Sequence, residues 1–117
     1  METCATSQRL IHCLTRQKNE LSVLFGSKLL NVVLYGSYAR GDFDSESDID
    51  VMALVEMNKT ELQKYRRIVS DLVNNIDLKY NVLLSIKLQD NESFVRYQNA
   101  LPFYQNVIKE GVAVGVQ

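Results

Sequence analysis

Residues 29–55 read LLNVVLYGSYARGDFDSESDIDVMALV. Two apolar runs frame a short polar loop, and the second run opens on two acids. Leu29 to Tyr35 is rich in Val and Leu and stops at Gly36, while Ile49 to Val55 is apolar on both faces once the acids are passed. Such a pattern suits strands, the second one covered by helices on each side. Residues two apart on a strand share a face, so Asp48 and Asp50 point one way and Ile49 and Val51 the other. Two carboxylates side by side repel each other unless a cation neutralises them. A hard divalent ion such as Mg²⁺, bound through one or two carboxylates plus substrate phosphates, meets that need.

The turn before the acids supplies the other half of a phosphate site. Gly36 lets the backbone approach a ligand and adopt positive φ, and Ser37 offers a hydroxyl and an exposed amide. If residues 37–40 begin a short helix, its first amides favour an anion. Arg40 adds a fixed positive charge, and Gly41 frees the chain to leave. A nucleoside triphosphate with its metal fits this set better than other common ligands.

At this point a resemblance enters. The segment GSYARGDFDSESDIDV resembles the signature of the nucleotidyltransferase superfamily that includes DNA polymerase beta, in its minimal form. Gly36, Ser37, Ala39, Arg40, Gly41, Ser47, Asp48 and Asp50 carry it, over about one seventh of the chain. The resemblance implies an α+β fold, a small mixed β-sheet with helices packed against it, and a site at the ends of the first two strands. It implies that Asp48 and Asp50 are catalytic and hold Mg²⁺, that Gly36 and Ser37 hold the β- and γ-phosphates, and that Arg40 supports the loop or those phosphates. It further implies transfer of a nucleoside monophosphate, AMP from ATP, to a hydroxyl. Small members of the family commonly pair with a helical HEPN-domain protein as an antitoxin, and some adenylylate that partner's tyrosine.

Composition sets the frame around this motif. The 117 residues are expected to form one domain, 1–117, large enough to bury a core. The formal net charge of −1 leaves no basic field of the kind that drives non-specific nucleic-acid binding. Cys4 and Cys13 are too far apart along one helix to bridge and are expected to be free thiols under reducing conditions. No apolar run reaches the length of a membrane span and no signal-peptide pattern opens the chain, so a cytoplasmic protein is expected.

The remaining elements follow from periodicity and caps. Leu10, Cys13, Leu14, Leu21, Leu24 and Phe25 recur at helical spacing over residues 7–25, with Ser7 as cap and Gly26 as stop; His12 falls off this stripe. Asp42, Asp44 and Glu46 read as a solvated acidic turn. Thr60 and Gln63 suggest a capping box for a helix to about residue 78. Arg66 and Arg67 could meet a nucleic acid or an acidic partner, but a solvated helix face is the better reading. Tyr80 to Leu88 reads as a third strand, Asp90 as the cap of a helix over about 91–100, and Pro102 as the first residue of a helix ending at Gly111. About a dozen residues separate the first two strands, which favours an antiparallel pair.

The family usually carries a third acid on the next strand, facing the first two. Here that strand reads NVLLSIKLQ and holds no acid, with Ser85 or an apolar neighbour where an aspartate is expected. Two function classes therefore stand side by side. One is an AMP-transferring enzyme acting on a protein or small molecule. The other is a binding module of the same fold that retains triphosphate–metal affinity, or only a partner surface, with little turnover.

Overall fold

The computed structural model describes residues 2–41, 48–80 and 84–114. Along the chain come α1 (Glu2–Phe25), a 3₁₀ turn (Gly26–Lys28), β1 (Leu29–Tyr35), α2 (Ser37–Arg40), β2 (Ile49–Val55), α3 (Lys59–Gln63), α4 (Arg66–Tyr80), β3 (Leu84–Asp90), α5 (Asn91–Tyr97), α6 (Pro102–Glu110) and β4 (Val112–Ala113). The strands form one mixed sheet in the order β3-β2-β1-β4. β1 is antiparallel to β2 and to β4, and β2 runs parallel to β3. This is the α+β architecture expected, and the first two strands are antiparallel neighbours as their short connection implied.

Alternation assigns the two faces of the sheet. Val32, Leu34, Ile49, Val51, Ala53, Val55 and Leu84 point into the larger core, where Cys13, Leu14, Leu21 and Phe25 of α1 and Val69 and Ile76 of α4 meet them. On the opposite face Met52 and Leu54 pack with Val107 of α6, flanked by Val33, Tyr35, Phe94 and Tyr104. β2 is thus covered on both sides, and Asp50 is its only residue that is not buried. That coverage explains why its sequence is apolar rather than alternating. Tyr104 fastens α6 to β3 by donating its hydroxyl to Gln89 Oε1 at 3.0 Å.

Several boundaries differ from the sequence reading. The expected helix to residue 78 is two helices, because the backbone closes three residues back at Lys64 (to Glu61) and Tyr65 (to Leu62). Tyr65 at this break packs on Phe25, ring centroids 4.9 Å apart. The capping box is present two residues earlier than expected: Asn58 Oδ1 accepts from the Glu61 amide at 2.8 Å, and Glu61 Oε1 accepts from the Asn58 amide at 3.4 Å. α4 runs on to Tyr80, so Tyr80 is helical rather than the first residue of the third strand, which is described over Leu84–Asp90. A short apolar run satisfies a helical and an extended period equally well. Asp90 does cap α5, its Oδ2 accepting from the Ser93 amide at 2.8 Å. Burial alone would raise the Asp90 pKa, but the bonds from Ser93 outweigh it and hold the carboxyl below its usual value.

One polar group sits badly in this core. Gln17 of α1 is fully buried, and among the described residues neither its Nε2 nor its Oε1 has a hydrogen-bond partner. An unmatched buried amide costs about 1–3 kcal/mol. Gln17→Met, which keeps the length and removes the polar atoms, is therefore expected to raise stability by roughly 1 kcal/mol or more. Urea unfolding of the two proteins checks this; an unchanged or lowered midpoint would refute it.

Candidate nucleotidyl-transfer site

The site is assembled where β1 ends and β2 and β3 begin. Tyr35, Asp50 and Ser85 are Cα partners across three adjacent strands, so their side chains share one face of the sheet. Asp48, two residues before Asp50, is exposed at the mouth of β2, and Asp50 is half-buried. The expected side-by-side acids are therefore present, and the residue next to Asp50 on the third strand is Ser85. Among the described residues no third His, Cys, Asp or Glu joins them to form a cluster.

Gly36 makes the turn as its sequence position suggested. Its φ is +78°, a conformation costly for any residue with a Cβ. A Cβ there would also lie 2.5 Å from Asp50 Oδ2, so the turn backbone presses directly against the carboxylate. The Arg40 amide then closes the single turn α2 onto the Gly36 carbonyl at 3.0 Å. Ser37 opens α2, but its side chain, like residues 42–47 with Asp42, Asp44, Glu46 and Ser47 of the motif, lies outside the described residues.

Arg40 is engaged in a way the sequence did not suggest. Its Nη1 donates to Glu110 Oε1 of α6 at 3.2 Å, across 70 residues of chain. Burial and the neighbouring Asp48 charge push the Asp50 pKa up, and Arg40 pulls it down only in part. The acid pair is left short of positive charge. Tyr35 is pushed up as well, first by burial and then by the Asp50 charge.

Two further groups beside the acids, Phe103 and Lys87, escaped sequence reading. Phe103 at the start of α6 stands edge-on to Tyr35 with centroids 5.6 Å apart. Lys87 Nζ lies over the Phe103 ring, 5.3 Å from its centroid. Arg66 of α4 faces the same open cleft of about 550 Å³, which reaches Tyr35 and Ser85 on either side of Asp50. Tyr35 could have been found from the two-residue strand period once its pairing with β2 was known. Phe103 and Lys87 carry no such signal, because only tertiary packing brings α6 onto this face.

Residues 8–115 match the family described as Polymerase beta, Nucleotidyltransferase. The chain belongs to that family and is one of its minimal nucleotidyltransferases. It is 40% identical over 76 residues to MJ0141 of Methanocaldococcus jannaschii, provisionally named a protein adenylyltransferase; the match spans 65% of this chain and 75% of that protein. It is 32% identical over 93 residues to MJ0604 of the same organism, which bears the same provisional name, spanning 80% of this chain and 85% of the relative. Among solved structures, a toxin–antitoxin crystallised with AMP-PNP shares the fold at a TM-score of 0.51 and 19% identity, over 86% of this chain and 72% of that one. A mutant of the toxin–antitoxin MntA–HpeT does so at 0.51 and 18%, with the same coverage.

The two motif glycines make a controlled comparison. Gly41 also has positive φ (+86°), but a Cβ there would meet nothing within 4 Å. Each glycine-to-alanine change carries about 1–2 kcal/mol for the left-handed backbone, and Gly36→Ala adds the collision with Asp50. Chemical denaturation should find Gly36→Ala the more costly of the two; equal losses would mean that the turn does not press on the carboxylate.

Proposed function

We propose that this protein transfers AMP from ATP to a hydroxyl of a partner protein, using Mg²⁺ held by Asp48 and Asp50. The observation that carries this reading is the under-neutralised acid pair, of which Asp50 is pressed against the positive-φ turn at Gly36. The donor set fits the ion. Two carboxylates on one strand face, without a third acidic, thiol or imidazole ligand among the described residues, suit a cation that keeps much of its shell for water and phosphate oxygens. When bound, the ion spreads the charge developing on the transferred phosphate and lowers the pKa of the attacking hydroxyl.

The chain's own residues then have separate tasks. Gly36 allows the triphosphate close to the backbone, and Ser37 with the turn amides takes the outgoing β- and γ-phosphates. Arg40 steadies the loop or those phosphates from its place between Asp50 and Glu110. The acceptor oxygen bonds to the α-phosphorus as the bond to the bridging oxygen breaks, and pyrophosphate leaves. With Ser85 in place of an acid beside Asp50, the hydroxyl proton goes to water in the open cleft. Positioning and charge neutralisation supply the rate instead of a general base. The provisional names of the two archaeal relatives support AMP and a protein acceptor, and the toxin–antitoxin neighbours support a partner chain, which we read as a HEPN-domain protein met in the cytoplasm.

A second reading rests on that same serine. Without a third acid the chain could serve as a nucleotide- and partner-binding module with little turnover. Two measurements separate the readings. Calorimetry should find Mg²⁺-dependent ATP binding in the wild type and none in the Asp48→Asn/Asp50→Asn double variant; equal affinities would remove these acids from the site. Incorporation of radiolabelled AMP into a HEPN-type partner should be slow in the wild type and absent in Asp50→Asn. It should rise in Ser85→Asp toward the roughly 10²-fold gain that begins the range for a positioned base. Tight ATP and partner binding with no label in any of the three proteins would leave the module standing.

A further inference from the structure

The cleft beside Asp50 has a floor of an unusual kind. Ser85, Ile86, Lys87 and Leu88 all line it, although alternate residues of a strand point to opposite faces. A cavity can touch four consecutive residues only by running along the edge of the strand. β3 is an outer strand of the sheet, and no described residue pairs with its free side along this stretch. Its outward amides and carbonyls therefore form an open row of donors and acceptors, roughly 13 Å long for four residues at ~3.3 Å each. The walls are charged in one sense. Arg66 comes from α4 and Lys87 from β3 itself; among the described residues neither pairs with a carboxylate and no acid lines the cleft. Between the cations lie apolar surfaces from Val69 and Phe103.

We propose that this cleft seats the acceptor as an extended, acidic polypeptide segment that pairs with the free edge of β3 as an added strand. The inference rests on the nucleotidyl-transfer reading and specifies how the acceptor is recognised. An edge of amides and carbonyls is matched by another backbone, which a nucleic acid does not possess, and main-chain pairing gives affinity while side-chain pockets give selectivity. Two cations in a protein of net charge −1 suffice to choose a carboxylate-bearing segment but not to hold a phosphate chain. The pairing also delivers the acceptor. A residue opposite Ser85 lies two strand spacings from Asp50, roughly 10 Å between backbones at ~4.8 Å each. A long hydroxylated side chain on that face spans the gap, whereas a serine falls short.

The test uses the intact protein and fluorescent twelve-residue peptides of alternating Glu and Tyr, of alternating Lys and Tyr, and an acidic copy N-methylated at alternate residues. Fluorescence anisotropy should find the acidic peptide bound about tenfold or more tighter than the basic one, as expected for charge-selected binding at two cations. N-methylation should abolish most of that affinity, because it blocks strand pairing. In Arg66→Glu/Lys87→Glu, both exposed positions, the preference should reverse while Mg²⁺-dependent ATP binding persists. Equal affinity for both charged peptides, an unmoved preference in the double variant, or indifference to N-methylation would overturn the proposal. So would a single-stranded oligonucleotide that binds as tightly as the acidic peptide and displaces it. Any of those results beside intact ATP binding overturns only this inference. Loss of the Asp48- and Asp50-dependent ATP binding itself would instead undo the nucleotidyl-transfer reading.

Discussion

Repulsion between two carboxylates at the mouth of a buried strand is the constraint around which this chain is built. β2 is sealed by helices on both faces, and its single departure from burial is Asp50. Holding a carboxylate there, two residues from another, raises the free energy of its charged form, which is visible in the upward shift of its pKa. The surroundings compensate only in part. Arg40 is near enough to pull the shift back, yet its guanidinium is also bonded to Glu110. The remaining deficit of positive charge is what a cation-bearing substrate would fill. Catalytic sites commonly retain such unrelieved electrostatic strain inside a scaffold that is otherwise well packed.

The scaffold keeps that strain local. Helices α1 and α4 cover one face of the sheet and α5 and α6 part of the other, so Asp50 cannot shift without unpacking β2 from both layers. The Gly36 backbone then abuts Asp50 from β1. The continuous pairing from Asn31 opposite Leu54 to Tyr35 opposite Asp50 therefore fixes the position of the carboxylate relative to the Gly36 turn. The fold is shared with toxin–antitoxin chains at under one fifth identity.

How much of this was legible in the sequence depends on how local each signal is. The strand–turn–strand unit could be read because Gly36, Asp48 and Asp50 declare themselves within a few residues, and a strand buried on both faces has few sequence alternatives. The N-cap of α5 at Asp90 was equally local. The start of β3 was not, because the apolar residues near 80 fit a helix and a strand alike. The partners of the site were hidden for a different reason. Glu110, Phe103 and Lys87 reach it through the docking of α6 and the parallel pairing of β3, contacts that span up to 70 residues and leave no periodic trace. Ser85 stands between these cases: its polarity was visible, but only the register with Asp50 gives it meaning.

The open edge of β3 also bears on self-association. A sheet that ends in an uncovered strand invites a second copy to dock edge to edge and so extend into a larger sheet. In this chain Lys87 sits near the middle of the exposed stretch, with Arg66 beside it. Two such edges brought together would set ammonium against ammonium at the point of closest pairing. The same cations that welcome a carboxylate-bearing strand therefore turn away an identical one, and the free edge stays selective without having to be covered.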